Sequence, residues 1–336
     1  MDVPKSTLLE INDLKTHFFF DEGVVKAVDG VSYSLEKGKT LGVVGESGCG
    51  KSVTVQSILN IVGSGGKIVN GSILFRENAE NIDLTQYKPS SEELRKIRGN
   101  KISMIFQEPM TAFSPVHKIG WQIMEALIYH TDKNKKEASM RVIDLLSKVG
   151  IPDPKNCFDR YPFELSGGMR QRAMIAMALA CDPEILIADE PTTALDVTIQ
   201  AQILDLLKEL QSEYGMAILL ISHNMGVIAE MSDEVAVMYL GQIVEKAPVW
   251  ELFENPSHPY TQALIKSIPK IEEEAKDRLN SISGNVPDPY NLPKGCKFHP
   301  RCESFIHDVC DKRNPSLIKH MKNHEVRCFL YGDSNA

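Results

Sequence analysis

The chain carries a glycine-rich segment whose residue types and spacing suit the binding of a polyphosphate. Residues 45–52, GESGCGKS, fit the pattern G-x-x-x-x-G-K-[ST] between a strand-like run and a helix-like run. Glycines let the backbone turn tightly and point N–H groups at phosphates, while Lys51 would meet the β- and γ-phosphates and Ser52 would ligate Mg²⁺. The alternative is a glycine turn with a chance lysine. We expect nucleotide contacts from Gly45, Glu46, Ser47, Gly48, Cys49, Gly50, Lys51, Ser52 and Val53.

Two acidic residues follow a second apolar run. Asp189 and Glu190 come directly after Ile185–Ala188, which has the length and composition of a buried strand. Beside a phosphate loop, Asp189 would hold Mg²⁺ and Glu190 would orient or deprotonate an attacking water. Taken alone, the pair is better explained as a solvated acidic turn, but the phosphate loop reverses that preference.

Short apolar runs alternate with helical patterns, and these elements would position the two motifs. Alternating residues over Leu8–Phe20 and Val24–Leu35 predict a hairpin. Short apolar runs separated by helices predict an α/β core with a parallel sheet. The further predicted strands are Thr40–Val44, Ile185–Ala188, Met216–Ile221 and Val235–Tyr239, and helices are predicted over Lys51–Ile61, around Ile123 and Leu127, over Met140–Val149 and Ser166–Cys181, and from Ile199 to Gly215.

The composition excludes a wholly disordered chain, a collagen-like fibre and a membrane-embedded bundle. The 336 residues are 43% hydrophobic and 24% charged, the usual mix of a globular protein. The net charge of −8 argues against nucleic acid as a partner, because nucleic-acid binders usually present a positive face. No apolar run approaches the ~20 residues that cross a bilayer, and the N-terminus lacks the pattern of a secretory signal. We therefore expect a cytoplasmic protein of about two domains.

A third motif narrows the class. Leu165–Arg172, LSGGMRQR, places Ser166, Gly167 and Gly168 at the start of a predicted helix, where N–H groups and a hydroxyl form an anion site. A plain helix N-cap is the alternative. The segment closely resembles the signature sequence of ABC-type ATPases. That resemblance implies a head-to-tail dimer in which these three residues complete the ATP site of the partner subunit.

Other residues match the elements of this family in the same order. The resemblance assigns Gln107 to the Q-loop near Mg²⁺, Ala194–Asp196 to the D-loop with Asp196 at the nucleotide, and His223 to the γ-phosphate. It also implies in-line attack of water on the γ-phosphorus, with Glu190, Lys51 and His223 as catalytic residues. An aromatic ring should stack on adenine; Phe18 is preferred by its distance from residues 27–29, with Phe19 and Phe20 as alternatives.

Three further segments resemble the oligopeptide, dipeptide and nickel importers within this family. They are the extended Q-loop Phe106–Pro115, the His-Pro-Tyr segment Asn255–Leu264, and the cysteine segment Gly295–Cys302. The resemblance implies a peripheral ATPase subunit at the cytoplasmic face of the membrane, driving uptake of di- or oligopeptides. Nickel and glutathione are alternative cargoes, and a soluble ABC ATPase with a zinc module is a less favoured reading.

The implied partners are two transmembrane permease subunits, a second ABC ATPase subunit, identical or homologous, and, indirectly, an extracytoplasmic peptide-binding protein. The implied fold is an ABC cassette over residues 1–255, with a parallel-sheet core, an antiparallel β subdomain and a helical subdomain at about 115–180. Residues 256–336 would form a small extension containing four cysteines. The charged run at 272–278 within it is interpreted as a linker, with a solvated helix face as the alternative.

The four cysteines of the extension are Cys296, Cys302, Cys310 and Cys328. The gaps between them, of five, seven and seventeen residues, match neither a C-x₂-C zinc site nor a ferredoxin. Crowding of thiols in a reducing compartment still indicates a metal before a disulfide. Zinc and an iron–sulfur cluster both stay open, as do unligated thiols and a disulfide pair. Mixed zinc ligation is a further alternative because of the nearby His299, His307, His320 and His324. The resemblance favours a [4Fe–4S] cluster.

Overall fold

A computed structural model of the chain describes residues 6–77, 80–108, 112–193, 195–268 and 282–332. The strands, in chain order, are β1 (Thr7–Phe20), β2 (Gly23–Glu36), β3 (Thr40–Val44), β4 (Gly66–Glu77), β5 (Glu80–Asp83), β6 (Ile102–Ile105), β7 (Ile185–Asp189), β8 (Ala217–Ser222), β9 (Glu234–Tyr239), β10 (Gln242–Pro248), β11 (Ile318–Met321) and β12 (His324–Val326). The helices are α1 (Lys51–Ile58), α2 (Glu92–Ile97), α3 (Ile119–His130), α4 (Lys135–Lys148), α5 (Pro154–Asp159), α6 (Gly167–Ala178), α7 (Val197–Tyr214), α8 (Met225–Met231), α9 (Val249–Glu254) and α10 (Pro259–Lys266).

The chain divides into two compact units. The first contains the chain up to Leu8, Leu35–Lys39 and Gln86–Ile221. The second contains Leu9–Ser34, Thr40–Thr85 and the chain from Ser222 onward. The predicted boundary between residues 255 and 256 lies inside the second unit, so part of the cassette and the described part of the extension belong to one compact body.

The first unit combines parallel strands with a helical region. β6 pairs with β7 and β7 with β8, all parallel, and every residue of β7 is buried. Such a strand, covered on both faces, is expected for a continuous apolar run. In the helical region α3, α4, α5 and α6 pack together, and α4 begins with a capping box between Asn134 and Glu137.

The helix predicted around Met140–Val149 is confirmed, but Met140 is not part of its buried face. Met140 is 63% exposed, whereas Ala138, Val142 and Leu145 are completely buried. The true apolar stripe therefore starts two residues earlier. Two other predicted helices end early: α1 stops at Ile58, before Asn60 with its positive φ of 48°, and α6 stops at Ala178 rather than Cys181.

The second unit contains two sheets. One has the order β2-β1-β4-β5, in which β4 runs antiparallel to β1 and β5, and it includes the predicted hairpin of β1 and β2. The other contains β11-β12-β10-β9-β3, in which β3 and β9 are parallel and the remaining pairs antiparallel. Within this unit, the sequence patterns predicted no strand for β4, β5, β10, β11 or β12.

The C-terminal extension is hydrogen-bonded into this second sheet. β12 pairs with β10 through the registers Glu245↔Val326 and Lys246↔Glu325, and β11 pairs with β12. The predicted linker at 272–278 lies outside the described residues. Within the described ranges, no helix has both the length and the apolar character needed to cross a membrane.

Candidate functional site

The phosphate loop belongs to the second unit and joins β3 to α1. Gly50 is the N-cap of α1 and has a φ of 103°, which glycine adopts without strain. A Cβ at Gly50 would lie 2.1 Å from the Ala27 carbonyl oxygen, and one at Gly45 would lie 2.1 Å from that of Met238. Both positions therefore require glycine, as the motif predicted.

Lys51 is the charged centre of this loop. Its side chain folds back so that Nζ donates to the Gly45 carbonyl at 2.7 Å and to the Glu46 carbonyl at 3.0 Å. The residue is only 5% exposed. Burial raises the pKa of the neighbouring Cys49 thiol.

Two further predicted residues of the second unit are Phe18 and His223. Phe18 lies two residues before the end of β1, opposite Gly66 of β4, and stacks on Phe20 with ring centroids 5.9 Å apart, while Phe19 is 46% exposed. Phe18 and Phe20 therefore share one face of β1, and the structure does not select among the three candidate rings. His223 is exposed and lies between β8 and α8, where the Asn224 side chain accepts from the Gly226 N–H and caps α8.

Glu190 lies in the first unit, at the end of β7. It has a φ of 48°, and its N–H donates to the Ile221 carbonyl at 2.9 Å. Two side chains donate to its Oε2: Gln107 through Nε2 at 3.1 Å and Thr193 through Oγ1 at 2.9 Å. The neighbouring Asp189 is 4% exposed. The structure thus brings together two of the predicted site residues, Gln107 and Glu190.

Thr193 was missed by the sequence patterns. The sequence does contain a signal for it. Thr193 follows Glu190 by three residues, so its hydroxyl can reach the Glu190 carboxylate if the chain turns sharply there. Such a turn is present, since the Thr193 N–H donates to the Glu190 carbonyl at 3.2 Å.

The predicted signature residues open α6 in the first unit. Ser166 is the N-cap and accepts from the Met169 N–H at 3.3 Å, and it is exposed together with Gly167. Gly168 lies close to Ile199 of α7, because a Cβ added to the glycine would be 3.3 Å from Cγ2 of that isoleucine. Asp196 caps α7 by accepting from the Ile199 N–H at 3.0 Å. Ala194 of the predicted D-loop and residues 109–111 of the extended Q-loop lie outside the described residues.

The buried Gln171 joins the signature helix to the segment after Glu190. Its Nε2 donates to the Pro191 carbonyl at 2.6 Å, and the side chain is 2% exposed. The start of α6 and the turn that carries the acidic pair are therefore held by a direct hydrogen bond within the first unit.

The four cysteines of the extension lie near one another in the second unit. The Cys296 N–H donates to the Cys310 carbonyl at 2.8 Å. Burial, and to a smaller extent electrostatic interaction with the other three cysteines, raises the pKa of Cys296 to about 11. Burial and the interaction with Cys302 and Cys310 likewise raise the pKa of Cys328 to about 11. In the part of the chain that the structure describes, no group of three or more Cys, His, Asp or Glu residues has an arrangement that could hold a metal ion.

The fold is that of ABC cassettes. It resembles the dimeric structure of MJ0796, a bacterial ABC transporter cassette, with a TM-score of 0.63 and 25% identity over 72% of this chain and 99% of that chain. It also resembles cbiO1 from Clostridium perfringens, part of the cbiONQ ABC transporter complex, with a TM-score of 0.61 and 26% identity over 75% and 92% of the two chains. Residues 28–193 match the family described as ABC transporter.

The branch of the family follows from the C-terminal region and from close relatives. Residues 244–310 match the family described as oligopeptide/dipeptide transporter, C-terminal region. The oligopeptide transport ATP-binding protein AppD of Bacillus subtilis is 53% identical, over 98% of this chain and 99% of its own length. The dipeptide transport ATP-binding protein DppD of Haemophilus influenzae is 46% identical, over 96% and 94%.

The chain therefore belongs to the ATP-binding proteins of the oligopeptide/dipeptide ABC transporter family. Membership of the ABC cassette family makes it an ATPase of the type that powers transport. The family and fold predicted from the sequence motifs are confirmed.

Proposed function

We propose that this chain hydrolyses ATP as the peripheral ATPase subunit of an importer for di- or oligopeptides. The observation that carries the proposal is Glu190, placed at the end of a buried strand with its carboxylate held by Gln107 and Thr193. In such a position a carboxylate can orient a water molecule and accept its proton. The names of the peptide transport relatives and the matching C-terminal region support the cargo.

The roles follow from the residue chemistry. Glu190 positions the water for in-line attack on the γ-phosphorus, Lys51 neutralises charge on the phosphates, and His223 stabilises the charge that develops there. Phe18 stacks on the adenine. The oxygen donors assigned to Mg²⁺ are Ser52, Gln107 and Asp189, which are hard ligands of the kind that this ion prefers. When bound, Mg²⁺ supplies positive charge to the phosphate oxygens.

The assembly proposed is a head-to-tail dimer with a second ATPase subunit, docked on two permeases at the cytoplasmic face of the membrane. Ser166, Gly167 and Gly168 would act on the nucleotide of the partner subunit. The exposure of Ser166 and Gly167 at the start of α6 supports this role, because the N-terminus of a helix attracts an anion. A peptide-binding protein outside the membrane would act only through the permeases.

The test is uptake by cells that lack this chain and carry it back as wild type or as Glu190→Gln. Labelled dipeptide should enter only with the wild-type chain, and the permeases should co-purify with both forms. Uptake of nickel or glutathione, without uptake of peptide, would show that this compound and not a peptide is the cargo. Co-purification with ribosomes and no permease would contradict the importer function and favour a soluble ABC ATPase.

We further propose that Cys296, Cys302, Cys310 and Cys328 hold a [4Fe–4S] cluster, with zinc as the alternative metal. Their gathering in one half-buried region supports this, although the four thiols do not lie in a ligating arrangement in this structure. Thiolates are the usual ligands of both metals. Anaerobically purified protein should be brown and contain about four irons per chain. A colourless protein with one zinc would overturn the cluster, and a protein with neither metal would overturn the site.

A further inference from the structure

Glu46, the residue after the first glycine of the phosphate loop, is held at three points. Its carbonyl accepts from Lys51 Nζ at 3.0 Å, within the loop. Its N–H donates to the Tyr260 hydroxyl at 2.9 Å, and its carboxylate accepts from Arg301. Two of these three contacts come from the C-terminal extension, which the proposed mechanism does not use.

The contact between Glu46 and Arg301 is a two-bond ion pair. Nη1 donates to Oε2 at 2.7 Å and Nη2 to Oε1 at 3.1 Å, across 255 positions of the chain. The Arg301 side chain is 3% exposed and that of Glu46 is 26% exposed. The planar guanidinium matches a carboxylate in both distance and direction, which the single ammonium of a lysine does not. The pair therefore sets the direction of the Glu46 side chain as well as its charge.

The guanidinium has further partners that keep it in place. Nε donates to the Ser283 carbonyl at 3.0 Å, and Nη1 lies 3.5 Å from the Tyr239 hydroxyl. The hydrogen bonds to Glu46 raise the pKa of Arg301 further above its already high value. Because these hydrogen bonds engage several of its N–H donors, the Arg301 guanidinium is held in one position, unlike a mobile charge at the surface.

Tyr260 is equally fixed. It is completely buried, and its ring packs against Tyr239 and Phe298 with centroid distances of 4.6 and 5.4 Å. Its hydroxyl therefore has one position, from which it accepts the Glu46 N–H. Loss of the hydroxyl would leave that N–H without this partner and leave the aromatic packing unchanged.

Two cationic residues of the cysteine segment contact residues before the predicted cassette boundary. Arg301 precedes Cys302, and Lys297 follows Cys296. Lys297 Nζ donates to Asp29 Oδ2 at 2.9 Å and to the Leu240 carbonyl at 2.8 Å. The stretch between the first two cysteines is thus anchored at one end by Lys297, while Arg301 at the other end reaches the phosphate loop.

We propose that the extension sets the conformation of the phosphate loop, with Arg301 and Tyr260 as positioning residues that act through Glu46. A phosphate loop binds through backbone N–H groups, so its affinity depends on how well its backbone is held before the nucleotide arrives. The inference rests on the proposed binding of ATP and adds that this binding depends on two residues of the extension.

The experiment measures binding of a fluorescent ATP analogue and steady-state ATP hydrolysis by the full chain. Arg301→Gln should raise Kd and KM for ATP about tenfold with a smaller effect on kcat, because the loop is less well organised before binding. Arg301→Lys should restore little, since one ammonium cannot form both bonds. The matched control is Arg313→Gln in the same extension, where an exposed guanidinium lies over the Phe329 ring and should leave Kd unchanged.

A double-mutant cycle tests whether Arg301 acts through Glu46. The double variant Glu46→Gln/Arg301→Gln should bind ATP as weakly as the weaker single variant. Losses that multiply would contradict action through Glu46.

Tyr260→Phe provides the second variant, since it removes only one oxygen and keeps the packing. It should raise Kd by a few-fold, and it decides the question if Arg301→Gln does not fold. If Arg301→Gln folds and binds ATP with the wild-type affinity, the inference is wrong. If Arg301→Gln does not fold, wild-type affinity of Tyr260→Phe for ATP would equally overturn it. Failure of the wild-type chain to bind ATP would instead overturn the proposed function.

Discussion

The Gln107 amide and the Glu190 carboxylate are joined by a hydrogen bond of 3.1 Å from Nε2 to Oε2. Thr193 donates to the same oxygen at 2.9 Å, so two donors from different segments define the orientation of one carboxylate. Glu190 also has a φ of 48°, a backbone conformation that costs a non-glycine residue about 1–3 kcal/mol and is typical of functional sites. Three independent features therefore mark this residue as positioned for chemistry.

Glu190→Gln should nearly abolish turnover without preventing ATP binding. An amide keeps the size of the side chain but cannot accept a proton, so kcat should fall at least about 100-fold. We expect the variant to accumulate as an ATP-bound dimer, seen by size-exclusion chromatography beside a phosphate-release assay. Glu184→Gln, which loses only the contact with Lys101, is the control. Unchanged turnover in Glu190→Gln would show that another group activates the water.

Thr193→Val should lower kcat about tenfold and leave KM for ATP unchanged. The substitution removes a donor to the carboxylate and keeps the branched shape, so the carboxylate loses orientation and the nucleotide loses no contact. Thr193→Ser restores the hydroxyl and should recover most of the rate. A valine variant with the wild-type kcat would mean that the Thr193 hydroxyl does not position Glu190 for catalysis.

His324→Ala should destabilise the second unit. His324 donates from Nε2 to Glu245 Oε1 at 2.7 Å, and both side chains are completely buried. Removing the imidazole takes one hydrogen-bond donor away from a completely buried carboxylate, so the free energy of unfolding should fall by about 3 kcal/mol. Urea unfolding followed by circular dichroism measures the change. His307→Ala, at a histidine that is 79% exposed, should cost far less; equal losses would contradict the argument.

His258 should make stability fall as the pH is lowered from about 6.5 to about 4. Burial lowers its pKa to about 4, and its Nδ1 must stay unprotonated to accept the Tyr260 N–H at 3.0 Å. In this interval the unfolded chain binds a proton that the folded chain does not, so each pH unit costs up to about 1.4 kcal/mol.

The measurement for His258 compares urea unfolding at pH 7 and pH 5. His258→Asn keeps a side-chain acceptor for the same N–H and removes the titrating group. The wild-type chain should lose about 2 kcal/mol more than the variant between the two pH values. Parallel losses in both proteins would show that His258 does not control this dependence.

Motifs and elements with local signals could be predicted from the sequence. The helix α7 is an example, because Asp196 caps its start and Gly215, with a φ of 62°, ends it as the glycine pattern indicates. The phosphate loop and the signature helix are similar, since their glycines and polar residues act on backbone within a few positions. These segments contain the motifs from which the family could be predicted.

Elements whose stability comes from distant residues could not be predicted in the same way. β4 begins at Gly66 and contains Gly71, both poor strand formers, and it depends on pairing with β1. β12 has three residues, and the burial of its His324 makes sense only beside Glu245, 79 positions earlier. The ion pair of Arg301 with Glu46 likewise has no local pattern, because it joins residues 255 positions apart.

Glu245 precedes the predicted cassette boundary, and its carboxylate accepts three hydrogen bonds from the predicted extension. Its carboxylate accepts from the N–H groups of Ser257 and His258 and from His324, all of which follow the predicted cassette boundary. A chain without the extension would leave this carboxylate without its three donors, and another cassette joined to such an extension would lack the acceptor for them. The cassette and the extension must therefore be inherited together. An acidic residue at this position of β10 should distinguish cassettes that carry such an extension from those that do not.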